Sequence, residues 1–418
     1  MNNNTNTTTA VTQKSIVITV LVAALGYFVD IYDLLLFGIV RVASLRSIGV
    51  PEEKLLEVGI DLINSQMAGL LVGGIIWGIW GDKKGRLSVL FGSIFLYSIA
   101  NIANAFVTTP TQYAVLRFIA GIGLAGELGA AVTLVSEMMS KEKRGIGTTV
   151  VAAVGILGAV FAAFIGDAFD WKTAYIIGGC MGLALLLLRF KMFESGMYEN
   201  LKSSSHTVRG DFLSLFKNRQ RFAKYMYCIL IGVPIWFVIG VLITFSPELA
   251  KELGVLGPVR ASTAIMVSYM GLSIGDLSSG LLSQYLKSRK KVVGIFLILT
   301  LAFILYYMNA HGVTPSHFYW ICGFLGFAVG YWAVFVTIGA EQFGTNLRAT
   351  VATTVPNFVR GSVLIITFGF EYFSKTKGMT LLHSATIVGL ITIVIAAFAL
   401  WRMEETFAKD LDYLEEKN

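Results

Sequence analysis

Charge is what this sequence lacks. Only 14% of its 418 residues are charged, against 55% hydrophobic, and the mean hydropathy is +0.71. Soluble domains average about a quarter charged residues, so an ordinary soluble enzyme is excluded. Cysteine is scarce too. Cys180, Cys228 and Cys322 all fall inside apolar runs, which excludes a disulfide framework and leaves no cysteine-based metal site. Of the four histidines, His311, His317 and His383 fall near the ends of apolar runs, where lone histidines are interfacial more often than ligands. No nucleophile–base constellation is present either, so no catalytic residue, metal or cofactor is expected.

What abounds is long apolar runs. Twelve can be drawn, at 16–40, 62–80, 88–107, 112–139, 145–168, 171–189, 223–246, 259–283, 291–309, 317–341, 350–373 and 380–402, with lengths near the roughly 18–20 residues that cross a bilayer as a helix. The net charge of +7 is distributed accordingly. With the amino terminus inside, Lys and Arg concentrate in the cytoplasmic connections, and an even number of spans returns both termini to that side. The basic surplus orients the chain in a lipid bilayer and predicts no nucleic-acid partner. Residues 1–15 are polar and read as a disordered cytoplasmic tail, with the first span as an uncleaved insertion signal.

Two landmarks repeat. Gly78-Ile-Trp-Gly-Asp82-Lys-Lys-Gly85-Arg86 is a charged turn between two apolar spans. A worn copy, Gly280-Leu-Leu-Ser-Gln284-Tyr-Leu-Lys287-Ser288-Arg289, begins 202 residues later. Glu137 and Arg144 stand seven apart at the end of one span, and Glu341 and Arg348 stand seven apart 204 residues on. Two landmarks at nearly one offset predict a duplicated half of about 200 residues. The domains expected are a bundle over 16–189, a cytoplasmic linker over 190–222 with a short surface helix near Asp211–Phe216, a second bundle over 223–402, and a cytoplasmic tail over 403–418. A further surface helix is expected at Glu52–Glu57, before the second span.

Ionisable residues inside spans are costly and therefore informative. Asp30 and Asp33 share one face of the first span. Arg117 opens the fourth, with Glu127 deeper, and Arg360 lies near the midplane of the eleventh, at about the depth of Asp30. Asp33 and Arg117 differ in depth by only a few Å, so they can meet. A guanidinium cannot shed its charge, so Arg360 needs a buried acid or an anionic ligand. Asp276, in the eighth span, is expected to be structural, and Tyr331-Trp332 could wall a cavity. The spacing Gly121-x-Gly123-x-x-Gly126 matches a dinucleotide fingerprint, but it lies in a span, without a preceding strand or an acidic ribose partner, and is rejected as a nucleotide site.

The Gly78–Arg86 turn resembles the loop signature between helices 2 and 3 of the major facilitator superfamily. The first span resembles helix 1 of its phosphate:proton and metabolite:proton symporters, and Arg117-Phe-Ile-Ala-Gly121 resembles its helix 4 motif, in which the arginine pairs with an acid of helix 1. Arg360-Gly361 resembles, with a shifted phase, a basic pattern of helix 11 in organic-anion carriers. Glu194-Ser195 resembles a pair at the inner end of helix 6 in sugar porters. The resemblance implies an all-α membrane protein of twelve helices in two pseudo-symmetric six-helix bundles, monomeric, multi-pass and in a bacterial inner membrane. It implies proton-coupled uptake of a small anion, an organic carboxylate foremost, by alternating access. Asp30, Asp33 and Arg117 would couple the proton; Arg360, Asn357, Glu127, Tyr331 and Trp332 would bind substrate; Asp82, Arg86, Glu137, Arg144, Glu341 and Arg348 would form a cytoplasmic gate. Alternatives are phosphate or sugar symport, uncoupled diffusion or drug export, and a transporter-like sensor.

Overall fold

The computed structural model describes residues 13–84, 86–129, 144–194 and 212–407, all helix, turn or connection, with no strand among them. The helices are α1 (Gln13–Ser47), α2 (Leu55–Lys84), α3 (Arg86–Asn104), α4 (Pro110–Leu124), α5 (Arg144–Ala168) and α6 (Trp171–Glu194) in the first half. The second half holds α7 (Arg219–Ile243), α8 (Ala261–Leu286), α9 (Arg289–Met308), α10 (Pro315–Glu341), α11 (Thr345–Gly361, continued by Val363–Glu371) and α12 (Leu381–Arg402). Among the described residues nine helices are long and apolar enough to span a bilayer, and α3, α4 and α5 supply shorter apolar stretches. The twelve-helix expectation is met. The end carrying the connection between α1 and α2 is termed outer, following the charge asymmetry.

Local chemistry starts these helices where the apolar runs begin. Thr109 caps α4 by accepting from the Gln112 amide at 3.3 Å, and Pro110 occupies the first turn. Thr314 and Pro315 do the same for α10, with the His317 amide at 3.3 Å. Both are threonine caps followed by a proline whose missing N–H costs nothing there, and they are a third landmark of the internal repeat.

Packing shows the repeat most clearly. A Cβ on Gly69 would lie 2.1 Å from the Phe118 carbonyl oxygen, and one on Gly121 2.1 Å from that of Gln66. In the second half a Cβ on Gly271 would lie 2.0 Å from the Gly323 oxygen, and one on Gly326 1.9 Å from that of Ser268. Helices α2 and α4, and likewise α8 and α10, therefore touch backbone to backbone through glycine, as small residues allow in lipid. Gly69 and Gly271 are 202 residues apart, as are Gln66 and Ser268.

The halves meet along α2 and α11. Thr367 Oγ1 donates to Asn64 Oδ1 at 2.7 Å near the outer end, Leu71 packs over Gly361, and Gly74 lies against Asn357. Asn357 Nδ2 also donates to the Ala125 carbonyl of the first half at 2.8 Å. Two ion pairs tie the outer ends, Arg41–Glu248 at 2.5 Å and Lys375–Glu57 at 3.1 Å.

Three expected details differ. Glu52–Lys54 forms one 3-10 turn running straight into α2 at Leu55, so no separate surface helix exists. The short helix of the linker is Ser214–Lys217, and it tucks inward with Phe212 and Leu215 buried. Apolar side chains rather than charges decide that placement; Asp211 lies outside the described residues. Residues 403–407 fold back against the second half: Glu405 accepts the Arg289 amide at 2.8 Å, and Thr406 Oγ1 donates to Glu341 at 2.7 Å.

Candidate functional site

The centre of the site joins the two halves. Arg360 of α11 donates through Nη2 to Asp30 of α1 at 3.4 Å, and the two side chains are 1% and 0% exposed. Equal depth was the sequence expectation, and the pair forms. The guanidinium keeps Nε and Nη1 without a protein partner, and Asp30 keeps Oδ1 likewise. Trp332 lies beneath the guanidinium, 5.9 Å from its carbon to the ring centroid, near the outer limit of a cation–π contact. The buried phenols Tyr27 and Tyr269 lie within electrostatic reach of the pair. Sequence reasoning did not single out either tyrosine. Tyr27 stands three residues before Asp30, and that spacing was the available signal.

Asp33 and Arg117 are both fully buried, but they form no ion pair. Arg117 instead donates to Gln66 Oε1 of α2 and sits over the Phe37 ring at 5.0 Å. Asp33 lies against α6 instead. A Cβ on Gly178 of α6 would lie 2.6 Å from its Oδ1, and neither carboxyl oxygen completes a hydrogen bond. Depth was read correctly from the sequence; helix rotation separated the partners. An ionised carboxylate kept in a span without a partner costs several kcal/mol, so this acid is poised rather than satisfied.

Glu127 is not a free ligand for substrate. Its Oε2 accepts from Nη1 of Arg189 at 3.1 Å and its Oε1 accepts from Nη2, both residues buried. Gly26 of α1 makes room: a Cβ there would lie 2.1 Å from Glu127 Oε1. Arg189 was counted as a helix end because the apolar run stops there, but α6 continues to Glu194 and turns the arginine inward. Tyr331 is likewise structural. It is fully buried and its hydroxyl donates to the Ile231 carbonyl at 2.9 Å. Asn357 spends its amide on backbone, donating to Thr353 and Ala125 carbonyls, with Oδ1 left unpaired. Asp276 Oδ1 accepts from the Ala333 amide at 3.0 Å and caps the inner part of α10 after a break at Gly330. The structural expectation for that acid holds.

The gate resolves in part. Glu341 pairs with Arg289 of its own half at 3.3 Å and accepts from Thr406. Arg289 belongs to the worn copy of the turn motif, which has lost its acid and second glycine. Glu137 lies outside the described residues; Asp82, Arg86, Arg144 and Arg348 stand in helices whose side chains there are likewise outside the description. On the opposite side the sequence missed Arg41. Its guanidinium is fully buried, lies 4.8 Å from the Phe245 ring centroid and holds Glu248 across the halves. A buried arginine at the end of the first apolar run was the available signal.

The model of the Major Facilitator Superfamily matches residues 18–367. The 3-(3-hydroxy-phenyl)propionate transporter of Escherichia coli is 24% identical over 81% of this chain and 83% of its own. The niacin transporter of Acinetobacter baylyi is 25% identical over 78% of this chain and 80% of its own. Among solved structures, the xylose transporter of E. coli in a partially occluded inward-open conformation superposes with a TM-score of 0.71 at 17% identity, over 96% of this chain and 100% of that one. That likeness shows the fold. The helices, the duplicated half and the family match agree: the chain belongs to the Major Facilitator Superfamily and is a multi-pass membrane transporter, not an enzyme.

Proposed function

We propose that the protein is a proton-coupled symporter of a small organic carboxylate, working by alternating access between its halves. The observation that carries this reading is the buried Asp30–Arg360 pair, one partner from each half, in which Arg360 still has two unpaired donor nitrogens. Each of them flanks Nη2, which uses one hydrogen on Asp30 and has a second, so the guanidinium can turn one two-nitrogen edge to an acceptor with two oxygens on one carbon. Trp332, Tyr27 and Tyr269 around them suit an organic body, and an aromatic one fits best. Relatives named as carriers of niacin and of a hydroxyphenylpropionate support that choice.

Charge balance supplies the coupling. Asp30 already matches Arg360, Asp33 is countered only at a distance by Arg117, and Glu127 matches Arg189. Among these six residues the charges cancel. A carboxylate entering this buried region makes it net negative, which low polarity penalises. One proton on Asp33 restores neutrality, so substrate and proton travel together. With both loaded, the halves rock about the α2–α11 seam; the Arg41–Glu248 tie closes the outer end in one state and opens in the other.

The test begins with a thermal-shift screen of purified protein against aromatic and aliphatic carboxylates, phosphate, sugars and amines. The expected result is stabilisation by aromatic carboxylates, a mass-action effect of binding. Uptake of the best ligand into vesicles should then rise with an imposed inward proton gradient. Uptake indifferent to the gradient would make the protein a facilitator, and stabilisation by sugars alone would remove the carboxylate.

A further inference from the structure

Helix α3 carries an unusual face. Tyr97, Ser98, Asn101 and Asn104 are each 0% exposed and recur at helical spacing on one side. The hydroxyls of Tyr97 and Ser98 and both amide atoms of Asn104 have no hydrogen-bond partner, and Asn101 and the Asp33 carboxyl lie beside each other without completing a well-formed bond. These groups adjoin one another. Asn101 and Tyr97 lie beside Asp33, and Tyr97 also faces the Glu127–Arg189 pair. Glycines of α6 form the opposite wall: a Cβ on Gly178 would lie 2.6 Å from Asp33 Oδ1, and one on Gly182 2.0 Å from Ser98 Oγ.

Buried polar groups are normally paired, because each orphan costs about 1–3 kcal/mol. So many on one helix face, next to a buried acid, need a shared partner, and water with its two to four hydrogen bonds fits them. The duplicated half offers a control. In α9, the counterpart of α3, the buried hydroxyls are Thr300 and Tyr307, and both are spent: Thr300 donates to the Phe296 or Ala328 carbonyl and Tyr307 to Leu242. The rest of the buried face of α9 is apolar. The same fold therefore closes without such a face, and its presence in α3 is a property of the first half alone.

We propose that the α3 face and the α6 glycines enclose a hydrated proton passage running from Asn104 at the outer end, past Asn101, to Asp33, with Ser98 one turn deeper at its closed end. It lies inside the first bundle, behind α1, and is separate from the substrate site between the halves. A proton entering at Asn104 passes from water to water. The last water gives it to the Asp33 carboxylate, which gains an O–H bond while that water becomes neutral again. Asparagine and serine hold the waters in line and do not ionise. The groups facing Asp33 are Asp30 and Tyr32 from α1, Tyr97 from α3, Arg117 from α4 and Tyr175 from α6. Separation of the two routes lets the proton reach Asp33 whether or not carboxylate occupies Arg360. The inference rests on Asp33 being the proton site.

The test needs no substrate. Purified protein is mixed rapidly with mild acid in weak buffer, and proton uptake is followed with a pH dye. The parent is expected to show a phase that Asp33→Asn loses. Asn101→Leu and Asn104→Leu, which replace amides with apolar side chains of similar size, should keep the amount of proton bound. They should slow that phase at least about tenfold, a barrier increase of about 1.4 kcal/mol. Asn101→Ser, which stays polar and leaves room for water, should retain the parental rate. Should one leucine variant not fold, the other answers alone. An unchanged rate in the leucine variants overturns the passage while Asp33 remains the proton site. A phase that persists in Asp33→Asn overturns the proton site itself.

Discussion

The two halves share one backbone plan and differ in what they bury. The α2–α4 and α8–α10 crossings match glycine for glycine, and Thr-Pro opens both α4 and α10. The first half nevertheless buries Asp30, Asp33, Arg41, Arg117, Glu127, Arg189 and the polar face of α3, while the second buries Arg221, Arg360 and the backbone-bound Asp276. Position 235, which stands 202 residues after Asp33, is a buried isoleucine. Duplication supplies a pseudo-symmetric frame; divergence places Asp30, Asp33 and Glu127 in one half and Arg360 in the other. Helix crossings tolerate little change because backbone touches backbone, whereas interior polar residues are free to diverge.

The largest expected effect breaks a pair within the first half. Glu127→Gln removes the carboxylate that Arg189 binds through two nitrogens, and breaking a buried ion pair costs about 3–5 kcal/mol. The melting temperature should fall markedly while the affinity of whatever protein stays folded changes little. An unaltered melting temperature would place Glu127 in function rather than in structure.

Arg360→Ala attacks the pair between the halves instead. Losing charge-assisted hydrogen bonds to a carboxylate should weaken binding by about 1.5–3 kcal/mol, roughly 10- to 150-fold in Kd by titration calorimetry. Arg360→Lys should recover only part of this, because a point charge does not reproduce the fork. Full affinity in the lysine variant would reduce Arg360 to a counter-ion for Asp30.

Arg41→Ala releases the outer tie. A bias of about 1.4 kcal/mol toward the outward-open state would raise the labelling of an engineered outer cysteine about tenfold. The smallest effect concerns the inner end of the second half. Ser288 caps α9 by accepting from the Lys291 amide at 3.2 Å, so Ser288→Ala should cost about 1 kcal/mol in chemical denaturation and leave transport intact. Glu405 beside it adds a pH signature. Burial raises its carboxyl, but Ser288 and the amides of Phe407, Arg289 and Lys290 outweigh that and hold it below the ordinary glutamate value. Its folded-state pKa is depressed, so its contribution is present above the unfolded value and lost as pH falls through the folded one. The 403–407 segment should therefore loosen only in acid.

How much was legible follows from what a sequence encodes. Depth along a helix is a count of residues, so Asp30 and Arg360 could be matched across 330 positions, and the pair forms. Rotation about the helix axis depends on every neighbour. Asp33 and Arg117 therefore share a depth without sharing a contact, and Glu127 turns to Arg189 because Gly26 opens space there. Arg41–Glu248 was hidden because it joins segments that only the closed outer end brings together. Glu341 found Arg289 because the tail and the turn between α8 and α9 pack beneath the second half, a contact no periodicity announces.

The central claim is that one proton on Asp33 accompanies one carboxylate held by Arg360. Its most direct test compares parent and Asp33→Asn protein in vesicles, measuring two processes with the same labelled carboxylate. The account predicts that Asp33→Asn loses uphill accumulation under an inward proton gradient. It should still exchange labelled for unlabelled substrate, since exchange never returns an empty, deprotonated carrier. Accumulation that persists in Asp33→Asn at the parental level would contradict the account.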